Sequence, residues 1–315
     1  MAPIVSVLMP VYNRETIVSD AIESILNQTF QDWELVILDD ASTDRTLAIC
    51  ESFASKESRI RIVVNEKNGG VGRARNRLNE YATGKYVAVQ DSDDVSVAHR
   101  LSREVEILEQ NPQIGLVTGL TEFLNDFGEV VWTEPQILYR GEQYPQEKAK
   151  MIQLLYEDCI VTNPACMFRR SILNDIPAPF GEYRVVDDWH FFLQVAHRYQ
   201  IWGIHDVLVK MRRGKEHQHL WRDPRSGFRE VRELKRNIYE QYKGDPNSPI
   251  NFQLYLKSMA PWLTREGRYL GGFRGYFKLM GAVLYDPSCQ RARESLWEYT
   301  GRAFRKAKRV AIGQN

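Results

Sequence analysis

The most chemically loaded stretch of this sequence is Asp91-Ser92-Asp93-Asp94, which directly follows the β-branched and aromatic run Tyr86 to Gln90. Three carboxylates within four residues repel one another unless a cation sits among them. A hard divalent ion such as Mg2+ or Mn2+ takes such oxygens and completes its shell with phosphates. A metal-nucleotide site is one reading of this cluster; an acidic turn capping the positive end of the next helix is the other. Asp39-Asp40 stands in the same position after an earlier apolar run, where a single carboxylate can accept hydrogen bonds from a base or ribose or simply make a turn. Tyr12 can stack on a flat base while Asn13 fixes the loop behind Pro10, although an aromatic after a strand also serves packing.

Cations and further acids follow. The turn Asn68-Gly69-Gly70-Val71-Gly72 lacks the third glycine of the dinucleotide fingerprint and comes at the third βα turn, not the first. Arg73 and Arg75 instead offer guanidinium groups to a phosphate, and Arg75 is favoured if a helix starts at Val71. No Gly-x4-Gly-Lys-Ser/Thr loop occurs, which argues against a P-loop nucleotide hydrolase. Asp187-Asp188-Trp189 opens an apolar helical pattern, where a carboxylate could act as a general base and Trp189 as a wall for a sugar ring, or the acids could cap the helix. His190 and His197 lie seven apart and do not make the i, i+4 zinc arrangement. His217, in Arg212-Arg213-Gly214-Lys215-Glu216-His217, could close on a diphosphate as a third metal ligand; a solvated basic loop fits equally.

The elements that must position these groups alternate in period. Val5–Met9, Glu34–Leu38, Ile60–Val64 and Tyr86–Gln90 read as buried strands, separated by segments with helical spacing, which is the pattern of βαβ units in a parallel sheet. Ligands of such sheets bind beyond the carboxyl ends of the strands, so Tyr12, Asp40 and Asp93 are expected to meet there. Leu116–Thr121 is an expected strand, Lys148–Tyr156 and Val186–Ala196 are expected helices, and the chain from Pro224 onward reads as mainly helical.

Composition bounds the rest. The 315 residues are 43% hydrophobic and 26% charged with a formal net charge of +1, which excludes disorder and fibrous architectures as global descriptions. No uncharged apolar run approaches the roughly 20 residues of a membrane-spanning helix, and the start carries no pattern of a secretory signal. Four scattered cysteines point to free thiols in a reducing cytoplasm. Residues 251–315 hold 12 Lys and Arg against 4 Asp and Glu, so a +8 tail accompanies a −7 body. That basic, aromatic-rich end suggests an anionic surface or a solvated helical face, and no nucleic-acid motif is present.

Taken together, these residues resemble the family 2 glycosyltransferases, which adopt the GT-A fold. The resemblance rests on Val5 to Asn13, Ser24 to Phe30, Trp33 to Asp44, Asn68 to Asn76 and Gly84 to Asp94, a set covering about the first 110 residues. It implies a Rossmann-like, mostly parallel sheet flanked by helices, with residues 1–223 as the glycosyltransferase domain. Within that domain 1–110 would bind the nucleotide sugar and 111–223 the acceptor, followed by a helical basic region at 224–315. It further implies that Pro10, Tyr12 and Asp40 hold the nucleotide, that Asp91 and Asp93 handle ribose and metal with Asp93 the ligand of Mg2+ or Mn2+, and that Asp188 is the catalytic base; Asn13 and Arg75 on the nucleotide and His217 as a further metal candidate come from the residue reading above. Asp187 and Trp189 would face the acceptor. Asp187 stands where the family has Glu, and Gln194 where an Arg often follows, while Asn163 to Arg170 resembles the stretch lining the acceptor site. The expected activity is inverting transfer from a nucleotide sugar, UDP-linked by resemblance, to a glycan or lipid-linked hydroxyl in polysaccharide, glycolipid or cell-surface glycan synthesis. The expected place is the cytoplasm, with peripheral contact to an anionic inner membrane face and no nucleic-acid partner. Two rivals are a metal-dependent nucleotidyltransferase, for which no glycine-rich triphosphate loop is seen near the first strand, and a non-catalytic carbohydrate- or nucleotide-binding module, which would not need Asp188.

Overall fold

The computed structural model describes residues 2–176, 179–181, 183–212 and 224–311, with side chains at all of these except 272, 273 and 301–311. The first hundred residues build the expected βαβ frame: β1 (Val5–Val11), α1 (Val18–Leu26), β2 (Trp33–Asp39), α2 (Thr46–Ala54), β3 (Ile60–Val64), α3 (Val71–Tyr81) and β4 (Tyr86–Val89). Helices cover the sheet, so the strands carry apolar side chains on both faces; Val5, Val7, Met9, Leu35, Ile37, Tyr86 and Ala88 are all buried. Pairing is parallel from β3 through β2 and β1 to β4, with Val7 opposite both Leu35 and Ala88. Because the order runs 3-2-1-4, the chain reverses its direction of growth between β1 and β4, which places the crevice beyond their carboxyl ends.

Past β4 come β5 (Asp94–Ser96), α4 (Arg100–Gln110), β6 (Ile114–Leu124), β7 (Val130–Glu134), α5 (Gln136–Tyr139), α6 (Lys148–Glu157), β8 (Cys166–Arg169), α7 (Ile172–Asp175), α8 (Asp187–Ala196) and β9 (Gln200–Arg212). Beyond β4 the sheet continues β8-β6-β9-β5, with β7 also paired to β6. Here β8 runs antiparallel to both β4 and β6, β9 is parallel to β6, and β5 is antiparallel to β9. Sequence periodicity alone misses β5, β7, β8 and β9: β5 is three residues inside an acidic cluster, and β9 mixes buried with exposed positions without strict alternation.

One buried cation fastens the centre of this mixed half. Arg100, at the start of α4, is fully buried and donates from Nη2 to the carbonyls of Val89 at 2.7 Å and Cys166 at 3.2 Å. Its Nη1 reaches Ser96 Oγ at 2.9 Å and Gln90 Oε1 at 3.1 Å, and its Nε reaches Glu104 Oε1 at 3.3 Å. A single planar fork thus ties β4, β5 and β8 together at the edge of the crevice. Burial pushes the Glu104 carboxyl up to about 7, with Arg100 opposing the shift.

The chain folds as two compact units, residues 1–151 with 159–222, and residues 152–158 with 223–315. The second unit holds α9 (Pro224–Tyr242), α10 (Phe252–Leu270), α11 (Gly272–Tyr285) and α12 (Gln290–Ala311), matching the helical reading of that region. The short stretch 152–158 enters it through Tyr156, whose hydroxyl donates to the Lys235 carbonyl at 2.7 Å. The buried Lys235 ammonium returns hydrogen bonds to the carbonyls of Tyr156 and Glu157. Among the described residues no helix is long and apolar enough to cross a membrane.

Candidate active site

The loops after β1 and β2 are knitted to each other. Asn13 adopts φ +51° and Ala41 φ +63°, conformations that need local hydrogen bonds to persist in non-glycine residues. The Asn13 amide donates to Ser42 Oγ at 3.0 Å, its Oδ1 accepts from Thr43 N at 2.8 Å, and Asp39 Oδ1 accepts from Ser42 N at 2.9 Å. Pro10 lies half-buried in β1 opposite Leu38, while Tyr12 is left 41% exposed above this clamp. An exposed ring on a stiff loop is free to stack.

Asp40 is buried, and its carboxylate is already engaged. Oδ1 accepts from Asn65 Nδ2 at 2.6 Å and Gly69 N at 3.0 Å, and Oδ2 accepts from Gly70 N at 2.9 Å. The residue expected to meet the nucleotide therefore also holds the glycine turn from which α3 departs. Gly70 there has φ +85°, which a glycine adopts without strain.

The three carboxylates after β4 go three ways. Asp91 Oδ1 accepts from Arg75 Nη2 at 2.7 Å. Asp93 remains partly exposed, with Oδ2 3.7 Å from Arg14 Nη2. Asp94 turns inward, where burial, then Asp93 and Asp91, hold its carboxyl well above the usual range; its Oδ2 has no hydrogen-bond partner. Separation by partner, surface and protonation relieves the repulsion that the sequence implied.

Arg75 carries the connection to the distant acidic pair. Its Nη1 donates to Asp187 Oδ2 at 2.6 Å, across 112 residues of chain. Both Asp187 and Arg75 are buried, and the guanidinium expected to meet a phosphate bridges the carboxylates of Asp91 and Asp187. Burial raises the Asp187 carboxyl and Arg75 opposes it. Asp188 lies half-buried at the first turn of α8, accepting from Trp189 N at 2.7 Å. Burial, followed by the Asp187 charge, pushes it up to about 7, against the pull of Arg75. Arg75, Asp91, Asp187 and Asp188 thus form one connected group, with Asp40 at the turn from which the arginine's helix departs.

Other expected residues sit elsewhere. Trp189 is 2% exposed, so its ring belongs to the packed interior and not to an open wall. His190 Nδ1 lies 3.3 Å from the Pro179 carbonyl and 3.2 Å from Gln194 Nε2, and His197 Nδ1 lies 2.7 Å from the Leu193 carbonyl. Arg212 pairs with Asp20, and His217 lies outside the described residues. Sequence reasoning missed Arg14, which follows Asn13 on the same loop, and the clamp that α3 makes on the segment before α8. Asn76 Nδ2 donates to the Phe180 carbonyl at 2.7 Å and its Oδ1 accepts from Phe180 N at 3.0 Å. The available signal was Gly72, Arg75 and Asn76 on one helical face.

Among the described residues no three His, Cys, Asp or Glu side chains converge on a metal position. A divalent ion nonetheless fits this strand end, because Mg2+ and related ions are commonly bound by one or two carboxylates plus substrate phosphates, and Asp91 and Asp93 are the two partly exposed carboxylates of the three, Asp91 on Arg75 and Asp93 3.7 Å from Arg14.

The family description "Glycosyl transferase family 2" matches residues 6–177, more than half of the chain, from β1 through β8. The chain belongs to this family. It is 42% identical to EpsE of Bacillus subtilis over 128 residues, 40% of this chain and 46% of that one, so the match spans less than half of that relative. It is 31% identical over 192 residues to WfgD of Escherichia coli, named UDP-Glc:alpha-D-GlcNAc-diphosphoundecaprenol beta-1,3-glucosyltransferase, covering 61% of this chain and 69% of that protein. Among solved structures, S. aureus TarS 1-349 in complex with UDP-GlcNAc superposes with a TM-score of 0.68 at 21% identity, over 98% of this chain and 92% of that one. The mannosyltransferase PcManGT of Pyrobaculum calidifontis, in complex with GDP-Man and Mn2+, gives 0.59 at 20% identity, over 100% of this chain and 89% of that one. The glycosyltransferase fold is therefore that of GT-A proteins, with a helical C-terminal region.

The packing of α3 on the 181–187 segment makes a prediction about two neighbouring glycines. A Cβ on Gly72 would sit 2.5 Å from the Gly181 carbonyl oxygen, whereas one on Gly70 meets nothing within 4 Å. Gly70→Ala should cost about 1–3 kcal/mol of stability through a backbone conformation, φ +85° and ψ 161°, that is open essentially to glycine alone. Gly72→Ala should cost about 1–3 kcal/mol and should expose the amides of 183–187 to hydrogen exchange. Unchanged protection in Gly72→Ala would contradict the clamp.

Proposed function

We propose that this glycosyltransferase moves a sugar from a nucleotide diphosphate donor to an acceptor hydroxyl by a single displacement with inversion at the anomeric carbon. The observation that carries the reading is Asp188: a half-buried carboxylate raised to about 7, next to Asp187, which Arg75 joins to Asp91 after β4. A base poised near neutrality can take a proton in the transition state and contributes about 10²- to 10⁴-fold. Asp188 removes the acceptor proton as the acceptor oxygen forms its bond to the anomeric carbon. The bond from that carbon to the diphosphate oxygen breaks, and the nucleotide diphosphate leaves with the electron pair. Pro10, Tyr12, Asn13 and Asp40 hold the base and ribose, with Asp91 beside them, and Arg14 adds positive charge at the rim next to Asp93. Mg2+ or Mn2+ at Asp93, with His217 as a further candidate ligand, would supply charge neutralisation to the departing diphosphate. The presence of Mn2+ in the PcManGT complex supports that choice.

UDP is the favoured nucleotide, supported by the UDP-GlcNAc in the TarS complex and the UDP-Glc in the name of WfgD. A glycan or lipid-linked acceptor and a role in cell-surface polysaccharide synthesis are supported by the same name, whose acceptor is a diphosphoundecaprenol-linked sugar. Peripheral attachment to the anionic inner membrane face fits the basic end, where Phe277, Leu284 and Trp297 are 70%, 73% and 81% exposed and exposed Arg274, Arg291 and Arg293 lie on the same helices.

Four measurements test these assignments. Asp188→Asn should keep UDP affinity while lowering turnover at least about a hundredfold. In the unsubstituted protein kcat/KM should fall about tenfold per pH unit below roughly 7, since the base must be ionised; full activity in the variant removes Asp188 from the role. Asp93→Ala should abolish the dependence of UDP binding on Mn2+ in calorimetry, and a retained dependence places the ion elsewhere. The protein should co-sediment with phosphatidylglycerol vesicles at low salt and be released by high salt, with Trp297→Ser weakening the binding; no low-salt binding ends the membrane reading.

A further inference from the structure

We infer that Arg75 is a positioning residue for the base, and not a ligand of the donor phosphates: its guanidinium straps the end of β4 to the start of α8 and thereby sets where Asp188 stands. The inference rests on the reading of Asp188 above.

The geometry leaves Arg75 little to offer a phosphate. Each terminal nitrogen spends one of its two N–H bonds on a carboxylate, Nη2 on Asp91 at 2.7 Å and Nη1 on Asp187 at 2.6 Å, and the group is buried. Its Nε is buried without a hydrogen-bond partner and so points at no open cleft. The guanidinium carbon lies 5.6 Å from the Phe180 ring centroid, within cation-π range. Phe180 is held by both polar atoms of Asn76, the next residue along the same helix. Gly72 removes the side chain that would otherwise push Gly181 away. Gly72, Arg75 and Asn76 of α3 therefore act together on one short stretch, 180–187, whose next residue is Asp188. A phosphate-binding arginine would not require Gly72 and Asn76 to grip the protein on either side of it.

Asp188 senses this strap. The charged and titratable groups acting on it are Asp187 on its own helix, Arg75 on α3 and Asp91 at the end of β4; Asp188 in turn acts on Cys166 of β8. Arg75 lowers the Asp188 carboxyl while Asp187 and Asp91 raise it. Removing the cation and removing the neighbouring anion must therefore move the base in opposite directions, a signature that loosened packing alone does not produce.

The experiment compares Arg75→Gln, Arg75→Lys and Asp187→Asn with the unsubstituted protein. The readouts are UDP affinity by calorimetry with Mn2+, the pH dependence of nucleotide release from UDP-glucose and UDP-GlcNAc, and hydrogen exchange at 187–190. Positioning predicts UDP affinity within about threefold in all three variants, turnover at least about tenfold lower in Arg75→Gln and Arg75→Lys, and faster exchange at 187–190. The acid limb of kcat/KM should rise above about 7 in Arg75→Gln and fall below it in Asp187→Asn, while Arg75→Lys, which keeps the charge but loses the planar fork, leaves the limb near about 7. A roughly tenfold loss of UDP affinity in Arg75→Lys with turnover retained at saturating donor would overturn the inference and make Arg75 a phosphate ligand. Unchanged turnover and exchange would overturn it as well. If Arg75→Gln does not fold, Asp187→Asn and Arg75→Lys decide. Should the unsubstituted protein release no nucleotide from either donor, the proposed function falls, and affinity with exchange still judges the strap.

Discussion

The two-sided ion pair of Arg75 is the constraint on which the site depends. Asp91 and Asp187 come from distant segments of the chain, and the buried Asp187 would not be tolerated as an anion without the cation that also holds the partly exposed Asp91. Taking the Arg75 and Asp187 charges out of water is expensive, so the cluster contributes little net stability. The planar fork suits this pairing better than an ammonium, since its two terminal nitrogens address two carboxylates at fixed separation. Around it the protein supplies directional support from Asn76 and Gly72, so that electrostatics and steric fit agree on one position for α8.

The acidic cluster after β4 shows how one local sequence is resolved into three chemistries. Asp91, Asp93 and Asp94 are neighbours in the chain, yet successive residues at a strand end face different surroundings. One meets a buried cation, one meets solvent beside Arg14, and one is left in the interior, where the neutral acid is the favoured form. The buried arginine at the start of α4 stabilises the same corner from beneath by donating to carbonyls of β4 and β8.

Much of this was legible in the sequence because the signals are local. Four apolar runs followed by Asn, Asp or Asp-rich turns mark strands whose ends gather on one side, and the parallel half of the sheet follows that pattern closely. What stayed hidden depends on distant partners. The strand at 94–96 exists because residues 209–211 pair with it. Trp189 looks like a recognition residue by type but is consumed by packing. Arg75 looks like a phosphate ligand by motif, and only the fold reveals that Asp187 lies opposite. Asp40 likewise gives no sign in sequence that two glycine amides and Asn65 engage its carboxylate.

The residues 152–158 group with the helices of 223–315 although they are encoded amid the sheet unit. During synthesis at about 5–20 residues per second, Tyr156 leaves the ribosome well before Lys235, the residue whose carbonyl receives its hydroxyl and whose ammonium donates to its own carbonyl. The sheet unit can therefore gather its strands early, but this one internal segment must wait for later-made helices before its polar groups are matched. Maturation of the nascent chain is thereby tied to completion of its far end.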